Sequence, residues 1–187
     1  MKQACYLLLF VFLIAASLSV YGRYDKVGGI RFGYQAATMF DNEGKLTGTE
    51  VLQSFYVGLF RDNKIVPLLR IGTGVEYFQN GFKTDDDNKL VLHYLSVPVH
   101  AKARIGPLFV LTGLSPSFKV SEKIFENGEK RDPSGDEKSE FFDIPIHVGA
   151  GVKFLFITLE ARYHWGLFEV NNGYRNQYLQ IGAGVSF

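Results

Sequence analysis

The sequence predicts an all-β fold: an eight-stranded antiparallel up-and-down transmembrane β-barrel whose outer wall meets hydrocarbon. Three observations carry that expectation. From Leu155 to Leu167 the odd positions are Ile157, Leu159, Ala161, Tyr163, Trp165 and Leu167, and the even ones are Thr158, Glu160, Arg162, His164 and Gly166. Alternate side chains of a strand point to opposite sides, so this segment has one apolar and one polar face. Similar segments recur along the chain, and their connections alternate long and short, which gathers every long loop at one end of an even-stranded barrel. Finally, Gly33, Gly72, Gly74, Gly149, Gly151, Gly166, Gly182 and Gly184 share the polar parity. Glycine weakens a strand unless crowding excuses it, as it does inside a narrow barrel.

The start of the chain reads as a secretory leader over residues 1–22: Lys2 supplies the positive start, Tyr6 to Ala16 the apolar core, and Ser17, Ser19 or Gly22 the small-residue exit. The barrel domain is then 23–187. The single cysteine, Cys5, falls in the leader, so the mature chain is expected to hold no disulfide and no cysteine metal site. Loss of Lys2 leaves basic residues equal to the 19 acidic ones, a balance that implies no polyanionic partner. No later stretch approaches a membrane-spanning helix, and a closed barrel is the other structure that satisfies its own backbone in lipid.

Taken in order, the first strand sets Ile30, Phe32 and Tyr34 against Arg31, Gly33 and Gln35. A loop follows over 39–50, and the second strand covers 52–60. Arg61, Asp62, Asn63 and Lys64 read as a tight polar turn. In the third strand, 66–78, Arg70, Gly72, Gly74 and Glu76 oppose Leu69, Ile71, Val75 and Tyr77. Residues 79–89 form a loop bearing Asp85, Asp86 and Asp87. The fourth strand sets Leu95, Val97, Val99, Ala101 and Ala103 against Ser96, Pro98, His100, Lys102 and Arg104. Pro98 cannot donate to a ladder, so an irregularity is expected there.

Ile105 and Gly106 turn the chain into a fifth strand, 108–118. Like the second, it is apolar or small on both faces, so its inward parity stays open. Ser121 to Glu140 is the longest insertion. The sixth strand sets Ile144, Ile146, Val148, Ala150 and Val152 against Asp143, Pro145, His147, Gly149, Gly151 and Lys153. A short turn at Phe154 and Leu155 precedes the seventh strand, and residues 169–176 the eighth, which ends on Phe187.

A secreted soluble barrel would alternate in the same way with its apolar face turned inward. The glycine parity argues against it, as do aromatics near strand ends, among them Tyr77, Tyr94, Tyr163 and Trp165, placed as membrane-interface girdles are. The terminal Phe187 at apolar parity is read as an assembly signal. The polar parity then predicts a lumen charge network of Arg31, Arg70, Glu76, Lys102, Arg104, Asp143, Lys153, Glu160 and Arg162. An eight-stranded interior is only wide enough for side chains, and buried charges must be paired.

The runs LHYLSVPVHAKARIGPLFVLTGLSPSF, FDIPIHVGAGVKF, LEARYHWGLFEV and LQIGAGVSF resemble the PorT-like outer-membrane β-barrel family of Bacteroidota over nearly all of residues 28–187. The resemblance implies the barrel; the founding member takes part in protein secretion, and most members have no assigned role.

No phosphate loop, nucleophile elbow, zinc helix or nucleic-acid surface is present in the sequence. His100, His147 and His164 share the inward parity with Glu160, but a polar plug accounts for them as well as a metal or catalytic cluster does. The run Asp85 to Asp87 lacks the calcium-loop pattern. No catalytic residue, cofactor or metal is expected. The reading is a non-enzymatic barrel of the outer membrane of a Gram-negative cell, monomeric, with both mature termini in the periplasm. Its expected partners are lipid and lipopolysaccharide, the barrel-assembly machinery, and a protein partner met through the loops; nucleic acid is not among them. The alternatives are a small porin-like channel or transporter and a lipid-modifying enzyme, for which His93 would be the candidate.

Overall fold

The computed structural model describes residues 26–41, 44–45, 50–84, 88–132, 139–170 and 174–187. The expected leader and the run Asp85 to Asp87 lie outside the described residues. Eight strands close into one barrel: β1 (Lys26–Asp41), β2 (Glu50–Val66), β3 (Leu69–Lys83), β4 (Lys89–Ser96 and Val99–Ile105), β5 (Leu108–Leu114 and Ser117–Glu126), β6 (Phe142–Asp143 and Pro145–Phe154), β7 (Ile157–Gly166) and β8 (Arg175–Ser186). Each strand is antiparallel to its neighbours in sequence, and β8 returns to β1 from Gly29↔Ser186 to Phe40↔Arg175. Among the described residues each of the eight wall strands is paired on both sides, which is the condition for a sheet to survive in lipid.

The alternation resolves as one apolar outer wall and one polar interior. Phe32, Leu59, Leu159 and Ile181 are all more than half exposed, at 54%, 59%, 54% and 51%, whereas Arg31 and Arg162 are 2% and 0% exposed. The open parities of the second and fifth strands are now fixed. Leu52, Tyr56 and Gly58 point inward from β2, and Phe109, Leu111 and Ser115 from β5.

Several boundaries differ from expectation. Arg61 to Lys64 are not a turn: β2 continues to Val66, Asp62 faces the interior, and the chain reverses at Pro67 and Leu68. Near a barrel rim the outer wall also reaches water, so polar residues occupy both parities and imitate a turn. The 79–89 loop is shorter than expected because β3 runs to Lys83. The insertion 121–140 is partly strand as well. Its β5 extension reaches Glu126 and pairs with Glu129–Arg131 through Asn127 and Gly128, both at positive φ (53° and 79°), the arrangement a two-residue hairpin favours.

The irregularity at Pro98 has two companions. Pro98, Pro116 and Pro145 interrupt β4, β5 and β6 at one level of the barrel. There Val97 N–H donates to the Pro116 carbonyl and Ser115 N–H to that of Pro145, both at 2.8 Å, while Gly74 N–H donates to Pro98 at 3.1 Å. These bonds carry the antiparallel pairing across the interrupted level.

Candidate functional site

Among the described residues polar side chains converge in the interior, which is layered. At the centre, Arg31 and Arg162 share Glu76 and Glu160. Arg31 pairs with Glu76 through its Nε, and its Nη1 lies 3.6 Å from Glu160. Arg162 donates through Nη2 to Glu76 at 2.8 Å, and its Nε lies 3.3 Å from Glu160. The guanidinium of Arg162 lies over the Tyr56 ring at 5.2 Å and that of Arg31 over Phe60 at 5.5 Å. Two cations and two anions balance, as burial requires.

Space for these side chains comes from glycine on the neighbouring strands. Gly58 is the cross-strand partner of both Arg31 and Glu76, and a Cβ built there would lie 2.5 Å from the Glu76 side chain. Gly72 opposes His100, whose Nε2 would meet a Cβ at 2.1 Å. The glycine parity in the sequence is therefore the complement of the charge parity.

Toward the loop end, Gln180 donates to Gln35 at 2.7 Å, and Gln35 donates to Asn80 at 2.7 Å. Beside this chain three buried imidazoles form a column. His100 and His147 have ring centroids 5.8 Å apart, His147 and His164 5.0 Å, and His164 stacks on Tyr178 at 4.2 Å. Ser115 Oγ lies 2.9 Å from His147 Nδ1. Among the described residues no three His, Cys, Asp or Glu side chains are placed to hold a metal ion. Above the column the lumen turns apolar: Met39, Leu52, Phe78, Leu92, Tyr94 and Val170 are buried together, with Phe78 stacked on Tyr94 at 5.5 Å and on Tyr178 at 5.1 Å.

The nine sequence-predicted charges are thus divided. Arg31, Glu76, Glu160 and Arg162 meet in the central quartet. Lys102 lies nearer the short turns, where it pairs with Asp62 at 2.6 Å and covers the Phe109 ring at 4.8 Å. Arg70, Arg104 and Lys153 line the same region. Asp143 is inward and buried, but its described partner is Asn176, which donates to it at 2.8 Å. Asp62 was missed because it belongs to the run that looked like a turn; Gln35, Asn80 and Gln180 were missed because uncharged amides give no pairing signal.

Of the expected interface aromatics, Tyr163 and Trp165 pack edge to face on the outer wall at 4.5 Å, and Tyr77 is also on the outer parity. Tyr94 is a correction: it shares the parity of Ser96 and His100, is 0% exposed, and belongs to the apolar plug. Nearness to a strand end does not outweigh parity. His93 bonds the Tyr77 hydroxyl at 2.6 Å. Phe187 is 84% exposed at the short-turn rim, and its N–H donates to the Gly28 carbonyl at 2.9 Å.

This architecture is similar to that of solved outer-membrane barrels. Neisserial surface protein A, NspA, superposes with a TM-score of 0.59 at 15% identity, covering 86% of this chain and 97% of that one. Ail, the attachment invasion locus protein of Yersinia pestis, solved in complex with the heparin analogue sucrose octasulfate, gives 0.54 at 16% identity, covering 87% of this chain and 99% of its own. At these identities the likeness speaks for the fold. Comparison with curated protein sequences gave no match. The family model described as "Outer membrane protein beta-barrel domain" matches residues 23–172, and with the closed barrel and its apolar outer wall this places the chain in that family of outer-membrane proteins.

Proposed function

We propose that this protein is a non-enzymatic, non-conducting barrel that anchors its long loops at the cell surface as an interaction platform, with both mature termini in the periplasm. The observation that carries this reading is the filled interior: a balanced ion quartet, an imidazole column and an apolar plug succeed one another along the axis. A lumen packed in this way leaves no continuous wet path, and an eight-stranded wall has no room to build one beside it. The extension of β5 into the Glu126 to Glu129 hairpin supports this part of the insertion as a surface for a partner. The resemblance to PorT-like barrels supports secretion or surface assembly as the setting, and the exposed aromatic Phe187 supports recognition by the barrel-assembly machinery.

The test is electrical and topological. Purified protein in a planar bilayer is expected to give no steady porin-size conductance, and protease added to intact cells is expected to cut within 121–140 while leaving the barrel core intact. Reproducible conductance steps would make transport the function instead. Cleavage only after the outer membrane is permeabilised would reverse the orientation.

A further inference from the structure

Two features coincide at the short-turn end. The first is a cavity of about 20 Å³ in the lumen mouth, lined among the described residues by Arg70, Lys102, Arg104, Lys153 and the Asp62 carboxylate. Asp62 is engaged by Lys102. Arg104 Nε donates to the Gly106 carbonyl at 2.9 Å and Lys153 Nζ to Ser186 Oγ at 2.8 Å, both neutral acceptors. Arg70 and Lys102 stand directly opposite each other across β3 and β4. Among the described residues that line the cavity, Asp62 is the carboxylate that faces Lys102, Arg104 and Lys153, in contrast with the balanced quartet higher in the same lumen.

The second feature is the rim. All three short turns are apolar and exposed, with Leu68 at 59%, Ile105 at 74% and Leu155 at 81%. Phe156 and Phe187 continue the ring at 55% and 84%. Leu155 also has a φ of 53°, a left-handed conformation in which a leucine costs about 1 kcal/mol or more relative to glycine. The equivalent turn between β4 and β5 uses glycine there, Gly106 at 59°, and the tight hairpin at the loop end uses Asn127 and Gly128. A turn projecting into water has no use for a strained, exposed leucine.

We infer that the short-turn end binds the phosphodiester of an anionic phospholipid, its oxygens at the basic mouth and its acyl chains against the apolar rim. The cavity admits about one water-sized group, so one phosphate oxygen enters between Arg104 and Lys153 while the headgroup rests at the opening. A free oxyanion would satisfy the charges alone. The apolar ring one to three residues from each base is what selects a lipid, since a basic pocket at the membrane surface matches a phosphorylated headgroup and the rim matches the chains below it. This inference rests on the proposed orientation, in which the short turns face the phospholipid leaflet. Reconstitution in nanodiscs tests binding independently of orientation, so the two can fail separately.

The experiment uses the mature barrel in nanodiscs of phosphatidylcholine with or without phosphatidylglycerol, with retained lipid counted by native mass spectrometry and the melting of the heat-modifiable gel band followed in parallel. Wild type should retain phosphatidylglycerol. Arg104→Gln with Lys153→Gln should weaken retention about thirtyfold, at the worth of two bases against an anionic surface, whereas Lys130→Gln at the loop end should not. Should the double variant fail to fold, Lys153→Gln alone should weaken retention about fivefold. Leu155→Gly separates the roles of the rim: it should melt higher in detergent because the backbone relaxes, yet retain less lipid. Absence of a phosphatidylglycerol adduct on the folded wild type would overturn the inference. So would equal protection by inorganic phosphate, which would assign a free-anion site, or unchanged retention in the Leu155→Gly barrel.

Discussion

The two halves of the lumen hold their side chains by different physics. Around Arg31, Glu76, Glu160 and Arg162 the contacts are between charges, with the Tyr56 and Phe60 rings beneath the two guanidinium groups, and removal of any one charge strands a buried partner. Around Phe78, Tyr94 and Tyr178, a few residues higher, the contacts are ring on ring, and the Tyr178 hydroxyl has no hydrogen-bond partner among the described residues. The difference teaches that one narrow tube can be closed either by exact charge balance or by shape, and that the two respond oppositely to substitution.

The sharpest way to break the comparison is Glu76→Ala. It leaves both guanidinium groups to Glu160 and should cost about 3 to 5 kcal/mol, the penalty for an uncompensated buried charge. Urea unfolding of the detergent-folded barrel measures it. A loss below about 1 kcal/mol would mean that water screens the quartet as it does a surface pair. Glu160→Ala combined with Arg162→Ala should restore part of the loss of Glu160→Ala alone, because the pair leaves together.

A smaller effect of opposite sign is expected in the upper lumen. Tyr178→Phe removes a buried hydroxyl with no partner among the described residues and keeps the stack on His164, so stability should be unchanged or rise by up to about 1 kcal/mol. A clear loss in the same unfolding assay would reveal a bridging water and make the upper lumen polar in the manner of the lower.

The smallest effect lies outside the barrel. The hydrogen bond and charge of Lys123 hold the exposed Asp132 carboxyl below the usual carboxylate range. A depressed folded-state pKa contributes stability above the unfolded value and loses it as pH falls through the folded one. Acidification below the ordinary carboxylate range should therefore loosen the Glu126 to Asp132 hairpin, read as faster proteolysis there, while the barrel band on the gel does not move. Asp132→Asn should abolish that pH dependence.

What could be read from the sequence follows from where lipid forces a choice. Within the membrane belt each residue faces either hydrocarbon or lumen, so parity assigned Arg31, Glu76, Glu160 and Arg162 inward and Ile157, Leu159, Ala161, Tyr163 and Trp165 outward. Beyond the belt both faces meet water or the plug, and alternation loses its meaning. The ends of β2, β3 and β5 were consequently placed too short, and Asp62 was taken for turn rather than wall. Parity also held where proximity misled, since Tyr94 followed Ser96 and His100 inward despite lying near a strand end. Which base meets which acid was beyond reach, because that depends on register: Gly58 brings Arg31 beside Glu76 only through the pairing of β2 with both β1 and β3.

The proline seam gives the wall a sense of time. An uninterrupted closed ladder opens as one cooperative unit, whereas a ladder whose amides are missing at one level in three adjacent strands has a natural place for opening to stop. Pro98, Pro116 and Pro145 mark that level in β4, β5 and β6, while the other five strands cross it unbroken. The loop-side parts of these three strands are therefore expected to exchange their amide hydrogens sooner than the parts below the seam, so that opening at the surface stops before it reaches the short turns.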